Sequence, residues 1–287
     1  MVPPSPVVAR WDLGRRLREQ RDLLGLTGAA AGKPVGLSAT FLSDVENGKK
    51  NLPEDKLDAL ITAYEFDADA AAELRALKEE CGQRGWWSKF NALFSPEILR
   101  FFGYEHGAEA IHTFESSVVS GLLQTRDYAR AVIEAASAYV RLAEADRRVE
   151  ARMIRQRRLT GDEPLRLTTV MSEAALRQQI GGPAVLVAQL RHLVTMIEEH
   201  PDTLEVRVVP FSSPGHPALG GSFHLLTFAS PALPALAWLE TVTSTDLIDD
   251  AIRVREYSLA HAGALGASLS RGDTLDLIKQ VAAKEIS

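Results

Sequence analysis

Between residues 37 and 50 the chain reads Leu-Ser-Ala-Thr-Phe-Leu-Ser-Asp-Val-Glu-Asn-Gly-Lys-Lys, with short polar side chains at Ser38, Thr40, Ser43, Asp44 and Asn47. Hydroxyl, carboxylate and amide groups on such short stems exchange hydrogen bonds close to the backbone that carries them. Ser38 has the chemistry of an N-cap, because its hydroxyl can accept from the free amides of a first helical turn. At ~100° per residue, Leu42 and Val45 share one side of the helix that follows, and the other polar groups fall opposite. Gly48 stops that helix, and Lys49 and Lys50 place cations just beyond it. Such a helix suits a DNA major groove, where base edges offer donors and acceptors and the flanking phosphates attract cations. Any small amphipathic helix shares the pattern, so the flanking elements must decide.

Upstream, Leu13, Leu17 and Leu24 form one helical stripe, Arg15, Arg16, Arg18 and Arg21 lie mostly on other faces, and Gly25 can supply a left-handed cap. Downstream, Pro53-Glu-Asp brings a first-turn proline and two acids suited to a helix N-terminus. Leu57, Leu60, Ile61 and Tyr64 then repeat at helical spacing, and Leu74, Leu77 and Cys81 mark a further helix. These signals predict a five-helix domain over residues 13–82, with Gly36 turning the chain before the capped helix. The start, Met-Val-Pro-Pro-Ser-Pro, has no hydrophobic signal core, and residues 1–12 read as a flexible arm.

Residues 13–66 resemble the helix-turn-helix domain of the phage-repressor-like (XRE) class, most closely over Ser38-x-x-x-Leu42-Ser43-x-Val45-Glu46-Asn47-Gly48-Lys49. The resemblance implies that Ala39, Thr40, Ser43 and Asp44 reach base edges, with Asn47, Lys49 and Lys50 closer to phosphate. Ser38 and Phe41 complete the candidate DNA-binding set, and Glu46 is expected to hold the domain together. Two departures bear on affinity. The family's second helix usually reads Thr-Gln-Glu-Glu-Leu-Ala, with a glutamine that reaches phosphate; here Thr27-Gly-Ala-Ala-Ala-Gly-Lys-Pro34 stands instead. An interior glycine costs about 1 kcal/mol and an interior proline ~3. Nine Lys/Arg also face nine Asp/Glu over residues 10–66, and Asp44 itself repels phosphate while able to accept from a cytosine amino group. Binding of double-stranded DNA by one copy is therefore expected to be weak and salt-dependent, with a homodimer, a partner or a lost function filling the gap.

At 287 residues the chain suits two domains. A net charge of −6 argues against a general nucleic-acid coat but not against a small sequence reader. A single cysteine precludes an internal disulfide and fits a reducing cytoplasm, with Cys81 as a packing residue. No apolar run approaches the ~20 residues that cross a membrane, so the expected location is cytoplasmic, without membrane contact.

From residue 86 an aromatic-rich stretch opens a second domain, 86–287. Strand-like runs occur at Ile111–Glu115, Leu165–Val170, Leu204–Pro210, Ser222–Phe228 and Ala235–Thr241. Helical runs occur at Tyr128–Ala138, 140–158, Ser172–Ile180, Val185–Glu199, Asp250–Leu265 and after Asp273, while Val118–Thr125 reads as a loop. The fold class expected is mainly α, with a repressor-like helical domain followed by an α+β domain holding a small antiparallel or mixed sheet. Residues 140–158 carry Arg141, Arg147, Arg148, Arg152, Arg155, Arg157 and Arg158 among Glu144, Asp146 and Glu150, and i,i+4 pairing on a solvated face is the reading favoured over a nucleic-acid surface.

This half resembles the C-terminal domain of a large actinobacterial regulator family, through Ser120-Gly-Leu-Leu-Gln-Thr-Arg-Asp-Tyr-Ala-Arg130, Arg152–Arg157, Gly182-Pro183, Val209-Pro-Phe211 and Gly220-Gly-Ser-Phe223. That domain has no known function, and its members are described as antitoxin-like regulators encoded beside a small partner protein. Where this chain has Ser120 the family commonly has a proline.

Seven histidines form no HExxH, no zinc-finger spacing is present, and neither a Gly-x-Ser-x-Gly elbow nor a Walker loop occurs. No catalytic residue, metal or cofactor is assigned. His216, Phe223, His224, Trp238 and Glu240 lie on or between two of the strand-like runs and are a candidate ligand pocket for a small effector or peptide, the competing reading being a packed sheet. Together these observations imply a DNA-binding transcriptional regulator whose second domain dimerises, binds a small partner protein encoded by a neighbouring gene, or senses an effector. The alternative is a regulator scaffold repurposed as a small-molecule binder or an enzyme of specialised metabolism, with weakened DNA binding. A pure protein-interaction module is a third possibility.

Overall fold

The computed structural model describes residues 2–136 and 142–284. The expected helix end at Ala138, the expected helix start at residue 140 and Arg141 lie outside them, as do Met1 and residues 285–287. The chain forms two compact units, one of Pro3–Lys89 and one running from Phe90.

The first unit is helical throughout: α1 (Pro6–Leu23), α2 (Gly28–Gly32), α3 (Ala39–Glu46), α4 (Glu54–Ala63) and α5 (Ala68–Cys81). Leu13, Leu17, Leu42, Val45, Leu57, Leu60, Tyr64, Leu74 and Cys81 close into one core to which all these helices but α2 contribute large side chains. The arm expected over residues 1–12 is corrected: the helix begins at Pro6. Proline fixes φ near the helical value and lacks the amide that a first helical residue leaves unpaired, and Ala9 joins the core one turn later. Leu24, expected on the apolar stripe, is exposed just past the helix end.

The second helix forms despite its composition. Thr27 caps it by accepting from the Ala30 amide, and a single 3-10 turn at Lys33–Val35 takes over where Pro34 cannot continue an α-helix. Gly32 is there for space: a Cβ on it would stand 2.5 Å from the Leu37 carbonyl oxygen. The residue that weakens α2 is thus the one that lets the chain turn tightly into α3.

The second unit contains α6 (Pro96–His106), β1 (Ala110–Glu115), α7 (Arg126–Ala136), α8 (Leu142–Gln156), β2 (Arg166–Ser172), α9 (Ala174–Arg177), α10 (Pro183–Glu199), β3 (Leu204–Val209), β4 (Phe223–Thr227), β5 (Leu236–Glu240), β6 (Thr245–Ile248), α11 (Ala251–Gly266) and α12 (Arg271–Lys284). The strands make one mixed sheet in the order β3-β2-β1-β4-β5-β6, parallel among β1, β2 and β3 and antiparallel from β1 to β6. All five strand-like runs are strands. β6 is additional, and the helix expected over Ser172–Ile180 shrinks to one turn because β2 runs on to Ser172.

Strand register sorts the side chains. Phe114 pairs with Phe223, and these join Ala237, Ile248, Val254 and Ala264 in a core beneath α11. Thr113 pairs with His224, and His224 with Trp238, on the opposite face, where Phe101 of α6 stacks on Trp238 with centroids 4.7 Å apart. Arg155 of α8 lies over Phe101 and Phe102.

The arginine-rich helix corrects the solvated-face reading. Arg155 forks onto buried Glu105 at 2.7 and 2.7 Å. Arg148 donates to the Leu93 carbonyl, and Arg158 donates to the carbonyls of His106, Ala108 and Glu163. These guanidiniums bind the helix to its neighbours; the i,i+4 charges along it were not their partners.

Candidate nucleic-acid interface and a second polar cluster

The α3 helix is anchored from behind. Leu42 and Val45 are buried, and Glu46 receives a two-pronged bond from Arg21 of α1 at 2.6 and 3.0 Å. Arg21 also donates to the Leu26 carbonyl, which ties the end of α1 to the same point. Glu46 therefore positions the helix, and a bidentate guanidinium–carboxylate pair fixes orientation as well as distance.

The opposite side divides in two. Ala39, Thr40, Ser43 and Lys49 are exposed. The other candidates have partners within α3 and its flanking residues: Ser38 accepts from the Phe41 amide at 3.1 Å, and the Asn47 amide nitrogen donates to the Ser43 carbonyl at 2.7 Å. Asp44 pairs with Lys50 at 2.8 Å, and the same ammonium lies 5.5 Å from the Phe41 ring centroid. That contact holds the Asp44 carboxyl below its ordinary value and neutralises the charge expected to repel phosphate.

Two further cations escaped the sequence reading. Lys33 is exposed in the turn before α3, and Lys56 of α4 brings its ammonium within 3.5 Å of the place a Gly36 Cβ would take. A balanced charge count hid them. Four of the five α1 arginines are engaged with carboxylates: Arg15 with Glu19, Arg16 with Asp12 and Glu73, Arg18 with Asp22, and Arg21 with Glu46. Lys33 and Lys49 have no ion-pair partner among the described residues, so free positive charge collects at the two ends of α3.

The five residues proposed as a pocket do not form one site. His216 and Phe223 lie beneath α11, His216 packing edge-on to Phe114 and Phe223 against Tyr257. His224 and Trp238 face α6 and α8, and Glu240, two residues beyond Trp238, shares their side of the sheet. Around His224 the structure adds Glu115 of β1, with Oε1 3.6 Å from His224 Nε2, together with Ser120, Gln124, Arg152, Arg155 and Glu105. Glu115 was legible only as the end of a strand, and the two arginines as surface charge.

Burial pushes the Glu115 carboxyl up to about 8, against the opposing influence of Thr113, Ser120, Arg155 and Arg152. Burial also lowers His224 and His261 from 6.5 to about 4. A carboxyl raised on folding holds a proton that the unfolded chain has released, so its share of stability is lost as pH rises toward 8. Histidines depressed on folding refuse protons that the unfolded chain accepts, so theirs is lost as pH falls below 6.5. The two histidines outweigh the one carboxyl on the acid side. Thermal stability should therefore peak near pH 6.5 and fall by about 2 kcal/mol by pH 8. Glu115→Gln should flatten the alkaline limb, measured by melting across pH. An unchanged slope in that variant would refute the assignment.

Among the described residues no helix is long and apolar enough to cross a membrane. Residues 12–74 match the model of a helix-turn-helix domain, and residues 98–280 match that of a domain of unknown function, DUF5753. No curated protein and no solved structure matches the chain. The first match covers α1 from Asp12 onward, α2 to α4 and part of α5, including the anchored α3; the second covers the whole six-stranded sheet and accounts for more than half of the chain. The chain therefore belongs to the DUF5753 family, whose domain it carries behind a helix-turn-helix domain.

Proposed function

We propose that the protein is a sequence-specific transcriptional regulator of the phage-repressor-like class, acting in the cytoplasm as a homodimer. In this reading α3 enters the major groove, Ala39, Thr40 and Ser43 meet base edges, and Lys49 with Lys33 meets phosphate on either side. Lys50 and Asp44 form a paired unit at the helix end that DNA can open, Lys50 turning to phosphate and Asp44 to a cytosine amino group. The observation that carries the reading is the two-sided character of α3: its apolar side and Glu46 are locked into the core while Thr40 and Ser43 stand in solvent. The capped α2 supports it over a repurposed scaffold, since both helices of the motif are in place. Pairing of two copies would double the groove contacts and recover the affinity that one module of balanced charge lacks. The second unit then supplies the dimer contact and the response, to an effector or to a small antitoxin-type partner.

Selection of a binding site from random DNA by the full-length protein tests this directly. Thr40→Ala and Ser43→Ala should each relax preference at one base position by about 1–3 kcal/mol. Lys49→Ala with Lys33→Ala should instead weaken binding to every sequence and reduce the salt slope by about 2. Both pairs acting alike, or no site enriched by a protein that runs as a monomer, would reject the proposal.

A further inference from the structure

Two arginines on α8 enter the same face of the sheet and are treated differently. Arg155 has a complete partner in Glu105. Arg152, also enclosed by protein, makes one hydrogen bond, to Gln124 Oε1 at 2.5 Å, and has no carboxylate within 4.0 Å among the described residues. Nearby, Glu115 Oε1, Ser120 Oγ and His224 Nδ1 are buried without a well-formed hydrogen bond, although Ser120 lies close enough to Glu115 to oppose the rise of its carboxyl, Glu115 being 5 % and Ser120 1 % exposed. Buried polar groups are paired in folded proteins as a rule, and one charge with three orphaned atoms in one place calls for a missing partner. The cluster is open to solvent at one side, as the floor of a crevice is: His224 keeps 19 % of its side-chain surface and Arg152 is half-buried. The backbone at Gly121 lies beside both cations, since a Cβ there would stand 3.9 Å from the Arg152 and Arg155 guanidiniums.

We propose that this crevice binds a small monocarboxylate bearing an adjacent hydroxyl, the carboxylate on Arg152 and the hydroxyl among Glu115, Ser120 and His224. The charge balance selects a single negative charge. Glu105 is engaged by Arg155, Glu115 is held neutral at pH 7 by burial, and the nearest remaining carboxylate, Glu240, is exposed. That leaves one uncompensated cation, and a dianion such as phosphate would meet Glu240 and Glu105 with its surplus charge. The three orphaned atoms beside Arg152 match a hydroxyl, which donates and accepts. The inference deepens the reading of the second unit as the effector-responsive part, but it is tested without DNA, so its failure leaves the α3 experiments untouched.

The test is thermal melting of the full-length protein in glycolate, acetate and inorganic phosphate at matched ionic strength, against chloride. Wild type should show a saturable rise in melting temperature with glycolate, a smaller one with acetate and none with phosphate. Arg152→Met should melt no lower than wild type in chloride, because it removes an uncompensated buried cation, and should lose the glycolate response. Glu115→Gln should retain the acetate response while weakening that to glycolate. The proposal is overturned if Arg152→Met melts several degrees below wild type, which would make Arg152 a structural strut. It is equally overturned if neither carboxylate shifts wild type or if phosphate matches glycolate.

Discussion

Arg155→Met should destabilise the second unit by about 3–5 kcal/mol, the largest loss expected of any single charge in it. The substitution strands Glu105, 1 % exposed, with its desolvation cost intact and both hydrogen bonds gone. It also removes the guanidinium lying 5.0 Å from the Phe102 ring centroid and 5.5 Å from that of Phe101. Removing Glu105 as well, as Arg155→Met with Glu105→Leu, should restore most of the loss, because an apolar pair of similar volume carries no desolvation debt. An exposed comparison lies on the same unit: Arg166 pairs with Glu109 at 2.9 Å with side chains 60 % and 41 % exposed, and Arg166→Met should cost about 0.5 kcal/mol or less. Denaturant melts of the three variants against wild type decide the matter. A loss at Arg155 no greater than that at Arg166 would show that the fork contributes nothing beyond a surface pair.

That contrast explains what the sequence could and could not convey. Strands and helices of the second unit follow from period: Leu204–Val209 alternates buried and half-buried, and Leu186, Leu190, Leu193 and Ile197 repeat along α10 as helical spacing demands. Periodicity tells which residues share a side, but not what covers that side. Arg152 and Arg155 lie three apart beside acids that could have paired with them locally, yet their surroundings come from Glu105, 50 positions before Arg155, and Gln124, 28 before Arg152. Long-range partners of this kind leave no local pattern. For the same reason the pocket drawn through His216, Phe223, His224, Trp238 and Glu240 joined two sides of one sheet. β6 was missed because Thr245-Asp-Leu-Ile is short, carries a charge and occupies an edge, where alternation need not be strict.

In the first unit the reverse holds. The cap at Ser38, the apolar side of α3 and the anchoring role of Glu46 were legible because they depend on spacing within one helix or on a family pattern. The free cations at the ends of α3 were not, since a net count cannot reveal that four of the α1 arginines are already paired. Glycine was misjudged for a related reason: its cost to a helix is local, while its benefit depends on what crosses it.

Gly14→Ala puts that last point to its most demanding test. By helix propensity alone alanine should stabilise α1 by about 1 kcal/mol. A Cβ at Gly14, however, would stand 2.2 Å from the Val45 carbonyl oxygen and 2.9 Å from that of Glu46, both backbone atoms of α3. Backbone cannot rotate aside as a side chain can, so α1 and α3 must separate, and close packing makes such overfilling cost about 3 kcal/mol or more. Separation also stretches the Arg21–Glu46 fork, which spans the same crossing, so α3 loses its anchor together with its seat. Gly14→Ala should therefore lower stability and abolish DNA retention even at low salt, although the substituted atom is remote from the exposed side of α3. Gly28→Ala is the matched control: its Cβ would meet only the Ala39 Cβ at 4.0 Å, and the change should stabilise α2 by up to ~1 kcal/mol without loss of binding. Melting and fluorescence anisotropy on both variants separate the effects. If Gly14→Ala melts at or above wild type, the close crossing of α1 over α3 is not what holds the reading helix in place.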